Sequence, residues 1–367
     1  MRKRVALPLL FSVLVGASFL AERFSREKPL PEDQAIAEIV ARARALLTAT
    51  YPGSAREPAL RGAHAKASGC VKAVFTVDSD LSDALRVGSF GHPGERYKAW
   101  IRFSNSAFTP GPDKNPNGRG MALKLIDADP DHAVDARTNP PHDLLFINFP
   151  AYFLADANDF LAFVRAGGLQ GDQQHALRYF FPGYNPFAWR LREAAIVYRN
   201  ATREIASPLR TDYWSMTPYK FGPDHAIKYA ARPCIASTGP APAKDEPDYL
   251  RDALKGELNK APGCMELFAQ MRVGDMPLDD ASLEWSQELS PLRRLGRIDM
   301  PLQDIAAEGR DEACENLSFN PDNAPALLAP LGGVNRVRIR LYQASAAYRL
   351  GHNGAIATDP EKAWDHF

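Results

Sequence analysis

The sequence lacks an excess of charge of either sign: 44 Lys and Arg stand against 44 Asp and Glu. It therefore offers no basic footprint for nucleic acid, and none is expected as a partner. It also lacks internal repeats and low-complexity tracts. No G-x-S-x-G elbow and no phosphate-cradling glycine loop is present, which sets aside a serine hydrolase and a nucleotide enzyme. Cysteine is scarce, with only four residues, Cys70, Cys234, Cys264 and Cys314. Their spacing fits neither a zinc site nor a C-x-x-C-H attachment motif.

What is plentiful is punctuation. Thirty prolines and 25 glycines, spread along 367 residues, call for many turns and loop crossings, as in a barrel with long excursions and unlike a helical bundle. At the N-terminus Arg2, Lys3 and Arg4 precede an apolar run from Val5 to Leu20, the pattern of an export signal. The small residues Val15-Gly16-Ala17 permit cleavage after Ala17, while the run also approaches the length of a retained membrane anchor. Residues 1–21 are therefore expected to be a signal peptide or anchor, and the working domain to lie outside the cytosol, in a periplasmic or other extracytoplasmic space. There the cysteines can pair, in any of three ways.

Beyond the leader, residues 22–60 read as an entry helix and linker, with apolar positions at helical spacing between Glu32 and Leu47 (Ile36, Ile39, Val40, Ala43, Leu46). Strands are expected at Cys70–Val77, Trp100–Ser104, Met121–Leu125, Asp143–Asn148, Ala226–Ala231 and Leu267–Val273. Helical spacing returns at Asn158–Ala166 and at Gly333–Arg349. The expected fold is α+β, an antiparallel β-barrel core with helical insertions and a basic C-terminal helix. The aromatic-rich stretch from Gly171 to Ser207 is read as helical core packing, with an apolar channel wall or membrane-facing surface as the alternative. His92, His132, His142, His175, His225 and His366 fall in loops or ends.

Chemistry is suggested by four short segments. His64 sits in a small-residue loop, Gly62-Ala63-His64-Ala65, where backbone can approach a flat ligand. In Ile101-Arg102-Phe103-Ser104, Arg102 and Ser104 share one strand face and Phe103 takes the other. Arg119, between Gly118 and Gly120, opens a further strand. Arg338, Tyr342 and Arg349 lie four and seven residues apart and share one helical face, so a guanidinium can lie against the phenol. Taken singly, each has a plain structural reading: a buried histidine, a half-exposed strand, a turn, a surface arginine stripe.

Jointly these segments resemble the catalase family, from about Arg61 to Asn353. The family's distal histidine sits in a V-x-H-A-K-G-type motif, and Ala63-His64-Ala65-Lys66 is similar to it. The resemblance implies that Arg61 and Arg102 are haem-propionate arginines, that Ser104 supports His64, and that Phe160 packs on the haem face. The proximal pattern, R-x-x-x-Y followed by R-L-G-x-N, is matched by Arg338, Tyr342 and Arg349-Leu350-Gly351-His352-Asn353. It implies Tyr342 as the iron ligand of haem b, Arg338 beside its phenolate, and Arg349 as a third propionate partner. The catalase-like haem domain is thus expected over residues 61–355, followed by a tail at 356–367.

The departures are specific. The family's distal asparagine falls on Ile147, with Asn148 one step later and so on the opposite strand face. The channel aspartate becomes Asn117 and a channel valine becomes Ser106. The resemblance thus implies a small, catalase-related haem peroxidase with weak activity on hydrogen peroxide and better use of an organic or lipid hydroperoxide, His64 being the acid/base and an external electron donor the reductant. Rearrangement of fatty-acid hydroperoxides and haem binding without turnover are the alternatives.

Overall fold

The computed structural model describes residues 29–53, 57–128, 141–171, 173–235 and 246–367. The apolar leader and His132 lie outside the described residues; among the described residues no helix is long and apolar enough to cross a membrane.

Strand β1 (Ala67–Val77) pairs antiparallel with β2 (Arg96–Asn105), β2 with β3 (Arg119–Leu125) and β3 with β4 (His142–Ile147). After a long helical excursion come β5 (Tyr213–Trp214), β6 (Tyr219–Phe221), β7 (His225–Pro233), β8 (Gly263–Met271) and β9 (Leu292–Met300). Strand β9 returns to β1, and β5 bridges β4 to β7, so the order β1-β2-β3-β4-β5-β7-β8-β9 closes on itself while β6 hangs on β7 as a hairpin. The result is a closed antiparallel barrel of eight strands, which leaves no unpaired edge in the ring.

Alternation explains which side faces in. Val71, Ala73, Phe75 and Val77 of β1, Ala99, Ile101 and Phe103 of β2, and Leu123 and Leu125 of β3 fill the barrel interior. The intervening residues, Arg102, Ser104, Gly120 and Ala122 among them, therefore project outward. Glycine is needed at Gly296, because a Cβ there would collide with the carbonyl oxygen of Thr76. His142, expected in a loop, instead opens β4 and is wholly buried.

The helices cover the outward face. Helix α1 (Glu32–Thr50) buries Ala35, Ile39, Ala43 and Leu47, one residue per turn, against α2 (Ala157–Arg165) and the long α7 (Gly333–Asn353). Asp156 caps α2 by accepting from the Asp159 N–H at 2.8 Å, and Gly354, at φ 59°, terminates α7 in the left-handed conformation. Between α2 and the barrel's return lie α3 (Gln173–Phe180) and α4 (Leu191–Ala201); α5 (Tyr249–Leu258), α6 (Arg310–Asn316) and α8 (Pro360–His366) complete the chain. The aromatic stretch divides: Tyr179 and Phe180 pack with Phe153 and Phe163, whereas Phe181, Tyr184 and Phe187 are exposed.

The structure chooses one cysteine pairing of the three, Cys70–Cys314 and Cys234–Cys264, with Cα separations of 5.9 and 5.5 Å. The first ties β1 to α6 across 244 residues of sequence.

Candidate active site

Between the outer wall of β2–β4 and the layer of α1, α2 and α7 lies a cavity of about 420 Å³, within the size range of small-molecule and cofactor sites. The residues that the catalase resemblance places at a haem line it: Arg61 and His64 from the loop before β1, Arg102 and Ser104 from β2, Phe160 from α2, and Arg338, Tyr342 and Arg349 from α7. Arg119 does not, its guanidinium donating instead to Asn105 Oδ1 and the Asp113 carbonyl. The alternation of β2 accounts for the pair Arg102 and Ser104, since Phe103 between them is in the barrel core.

His64 adopts φ 56°, a left-handed conformation that costs energy for a residue with a Cβ. Arg61 stabilises it locally, donating from Nε to the His64 carbonyl at 2.9 Å and from Nη2 to the Ala65 carbonyl at 3.2 Å. The imidazole packs against β3 at Gly120, where an added Cβ would stand 2.6 Å from Nδ1. Ser104 Oγ is 2.9 Å from the same Nδ1. Burial first, and then the guanidinium groups of Arg61, Arg102 and Arg338, push the His64 pKa down to about 3. The ring is therefore neutral at physiological pH. When Nδ1–H donates to Ser104, Nε2 keeps its lone pair and can accept a proton.

Three guanidinium groups gather at one end with a single carboxylate between them. Arg61 pairs with Glu315 of α6, and Arg102 donates to the carbonyls of Cys314 and Leu317 at 3.3 and 3.1 Å while stacking on Phe319. Burial acts to raise the Glu315 pKa, but Arg61, Arg102 and Arg349 outweigh it and hold it low. Arg349 is buried and its Nε has no hydrogen-bond partner. A buried guanidinium donor left open in a cationic pocket calls for an anionic acceptor. The apolar walls, the cationic end and the open Arg349 donor fit a flat cofactor that carries carboxylates.

On α7, Arg338 is buried with its guanidinium 5.6 Å from the Tyr342 ring centroid. It is fixed from behind by Thr217 Oγ1 and Asn335 Oδ1, each 3.2 Å from Nη1. Asn335 in turn donates to the carbonyls of Pro218 and Leu331 at 3.0 and 2.9 Å. Against the pull of burial, Tyr342 and other tyrosines raise the Arg338 pKa, so the cation persists beside the phenol.

Sequence reading missed Glu315, Thr217 and Asn335. Only Asn335 left a signal, three residues before Arg338 and so on the same helical side. Ile147 lines the cavity, and Asn148 turns away to accept from the Arg119 N–H at 2.7 Å. The opposite-face reading of this pair is what the strand shows.

The fold and the cavity together define a catalase-like barrel. Residues 56–184 match the family model described as catalase. Among solved structures, the chain is similar to a fungal catalase (TM-score 0.64, 18% identity, covering 83% of this chain and 62% of that one) and to catalase A from Saccharomyces cerevisiae (TM-score 0.64, 18% identity, 83% and 64%). A bacterial catalase gives TM-score 0.61 at 18% identity, covering 81% of this chain and 59% of that one. No curated protein matches. The chain is thus catalase-like in fold throughout its described barrel and in sequence pattern over residues 56–184, and it spans roughly three fifths of the length of the catalases it resembles. The matched range ends before α7, so Tyr342 joins the site through the geometry of the cavity.

Proposed function

We propose that this protein is a haem-dependent peroxidase, using hydrogen peroxide or, preferentially, an organic or lipid hydroperoxide. The observation that carries the reading is the meeting in one cavity of a neutral, Ser104-supported histidine, a tyrosine backed by a buried arginine, and an arginine cluster with one guanidinium donor unpaired.

In this reading Tyr342 would ligate the iron of haem b, Arg338 would stabilise the phenolate, Phe160 would pack against the macrocycle, and Arg349 with Arg102 and Arg61 would meet the propionates. A haem held there would supply the two electrons needed for cleavage of a peroxide O–O bond, to be returned by an external donor. His64 Nε2 takes the proton from the O–H of the peroxide and hands it to the far oxygen, which leaves as water or an alcohol. Ser104 keeps the ring in the orientation for both transfers. Arg61 also holds the His64 loop, through Nε and Nη2 on the carbonyls of His64 and Ala65, while Nη1 pairs with Glu315.

Ile147, Ala151 and Met216 make this part of the wall apolar, which favours an alkyl-bearing peroxide over hydrogen peroxide. The two disulfides suit an oxidising compartment. With the apolar run at residues 5–20 they support an extracytoplasmic or periplasmic location, the chain being exported or tethered to the membrane.

The test is an absorption spectrum of the haem-loaded protein beside Tyr342→Phe, followed by stopped-flow mixing with hydrogen peroxide and with a fatty-acid hydroperoxide. A tyrosinate-ligated ferric spectrum lost in the variant, with turnover abolished by His64→Ala, is the expected result. Product analysis separates reduction to an alcohol from rearrangement. Failure to take up haem, or a spectrum indifferent to Tyr342, overturns the reading.

A further inference from the structure

Among the described residues, two that line the cavity carry a buried polar side-chain atom without a hydrogen-bond partner: Arg349, through Nε, and Asn200, through Oδ1. Arg349 belongs to the cationic end. Asn200 does not, and nothing in the catalytic scheme above uses it.

Asn200 lies in the last turn of α4. Its place is set by backbone: the Asn117 N–H donates to the Ala201 carbonyl at 3.0 Å, and Arg203 donates to the Asn148 carbonyl at 3.1 Å. The helix end is thereby tied to the loop before β3 and to the end of β4. The side chain converges with those of Ile147 and Ser106 over Gly118, where an added Cβ would stand 2.8 Å from Asn200 Nδ2, 2.9 Å from Ile147 Cδ1 and 3.0 Å from Ser106 Oγ. Ser106 is already committed, 2.5 Å from Asn117 Oδ1. Gly118 is two residues before Gly120, on which His64 rests, and both glycines line the cavity. Residues two apart along an extended chain are about 7 Å apart on one side. The carboxamide thus packs over Gly118 and the His64 ring over Gly120, two positions on, along the same cavity wall.

Asn200 is half-buried, and its buried, unpaired amide oxygen is costly to keep unless something binds it. Resting on the peroxidase reading, we propose that Asn200 is the substrate-orienting residue of this cavity. Its Oδ1 and Nδ2 hydrogen-bond the polar O–O–H head of an alkyl hydroperoxide and aim it at His64 Nε2, while Ile147 and Met216 receive the alkyl part. The amide comes from a helix of the excursion after β4, where the strand itself offers isoleucine.

The experiment compares wild type with Asn200→Leu, and with Asn200→Ala should the leucine variant not fold; Tyr198→Leu, exposed on the same helix, is the control. Haem-free Tm is measured first, then kcat and KM of the haem-loaded protein for cumene hydroperoxide. The expected result is a Tm unchanged or raised, since an unsatisfied oxygen has been removed, with KM raised roughly tenfold, the worth of one substrate hydrogen bond. A lowered Tm in both variants makes Asn200 structural and overturns the proposal, as does an unchanged KM. Failure of the peroxidase reading shows itself separately, as wild type that takes up no haem or turns over no peroxide, and removes this proposal with it.

Discussion

Glu315 and Arg61, 254 residues apart in sequence, form the ion pair that partly neutralises the cationic end of the cavity. The carboxylate occupies the electrostatic position that propionates would share on cofactor binding. Replacing it by Glu315→Gln leaves Arg61, Arg102 and Arg349 facing one another without a counter-charge. The haem-free variant is expected to lose about 1–3 kcal/mol of stability, the cost of stranding a buried charged partner, and most of that deficit should vanish on haem loading. Denaturant unfolding of both forms checks it; an equal deficit in both would separate Glu315 from the cofactor site.

Ser104 Oγ, 2.9 Å from His64 Nδ1, is the only side-chain partner of that ring nitrogen in the structure among the described residues. Ser104→Ala keeps the cavity and the haem contacts but frees the imidazole to rotate. By the usual cost of losing an orienting partner, peroxide turnover should fall roughly 10- to 100-fold, with the absorption spectrum unchanged. A loss of haem uptake instead would show that Ser104 acts on the fold rather than on His64.

Lys124 and Asp143 form a buried ion pair at 2.6 Å, and Asp143 Oδ2 also accepts from the Asn320 N–H at 2.8 Å and Asn323 Nδ2 at 2.7 Å. This network fastens the segment carrying Leu317, Ser318 and Phe319 to the barrel, and those residues line the cavity. Asp143→Ala removes one partner and strands the other, which typically costs about 3–5 kcal/mol. A double substitution, Asp143→Leu with Lys124→Met, should recover part of the loss, measured as the denaturant midpoint.

How much of this was legible beforehand follows from the periodicity of each element. Strands β1, β2 and β3 each have one face in the barrel core and one outside it, the outer faces of β2 and β3 lining the cavity, so their alternation read directly, and the same alternation put Arg102 with Ser104 and Ile147 opposite Asn148. Strand β9 was not legible. A register irregularity opposite Leu267 and Phe268 sets its buried residues Leu295 and Ile298 three apart rather than two, among four charged residues, Arg293, Arg294, Arg297 and Asp299. Strands β5 and β6, two and three residues long, are too short to carry a period. At the site, the motif residues could be picked out because several short segments, each only a few positions long, jointly resemble the catalase pattern. Glu315 and Thr217 could not, since each acts on a residue more than 100 positions away, Arg61 and Arg338 respectively.

His142 provides a pH test of the fold that does not depend on the cofactor. It is wholly buried inside the barrel, its Nδ1 3.0 Å from Ser89 Oγ and its Nε2 unpaired, and burial pushes its pKa down to about 3. In the unfolded chain a histidine titrates near 6.5. Between these values the unfolded state binds the proton and the folded state does not, so stability falls as pH falls from about 6.5 towards 3. Above 6.5 both states are neutral and the contribution is constant. One such histidine accounts for a loss of about 2 kcal/mol between pH 7 and pH 5. His64, also pushed down to about 3, adds in the same direction in the haem-free protein. Denaturant unfolding at pH 5, 6 and 7 should therefore show a steep acid-side slope, reduced in His142→Asn whatever that variant's absolute stability. A slope unchanged by the substitution would mean that His142 is protonated within the fold, and that the barrel interior admits water beside Ser89.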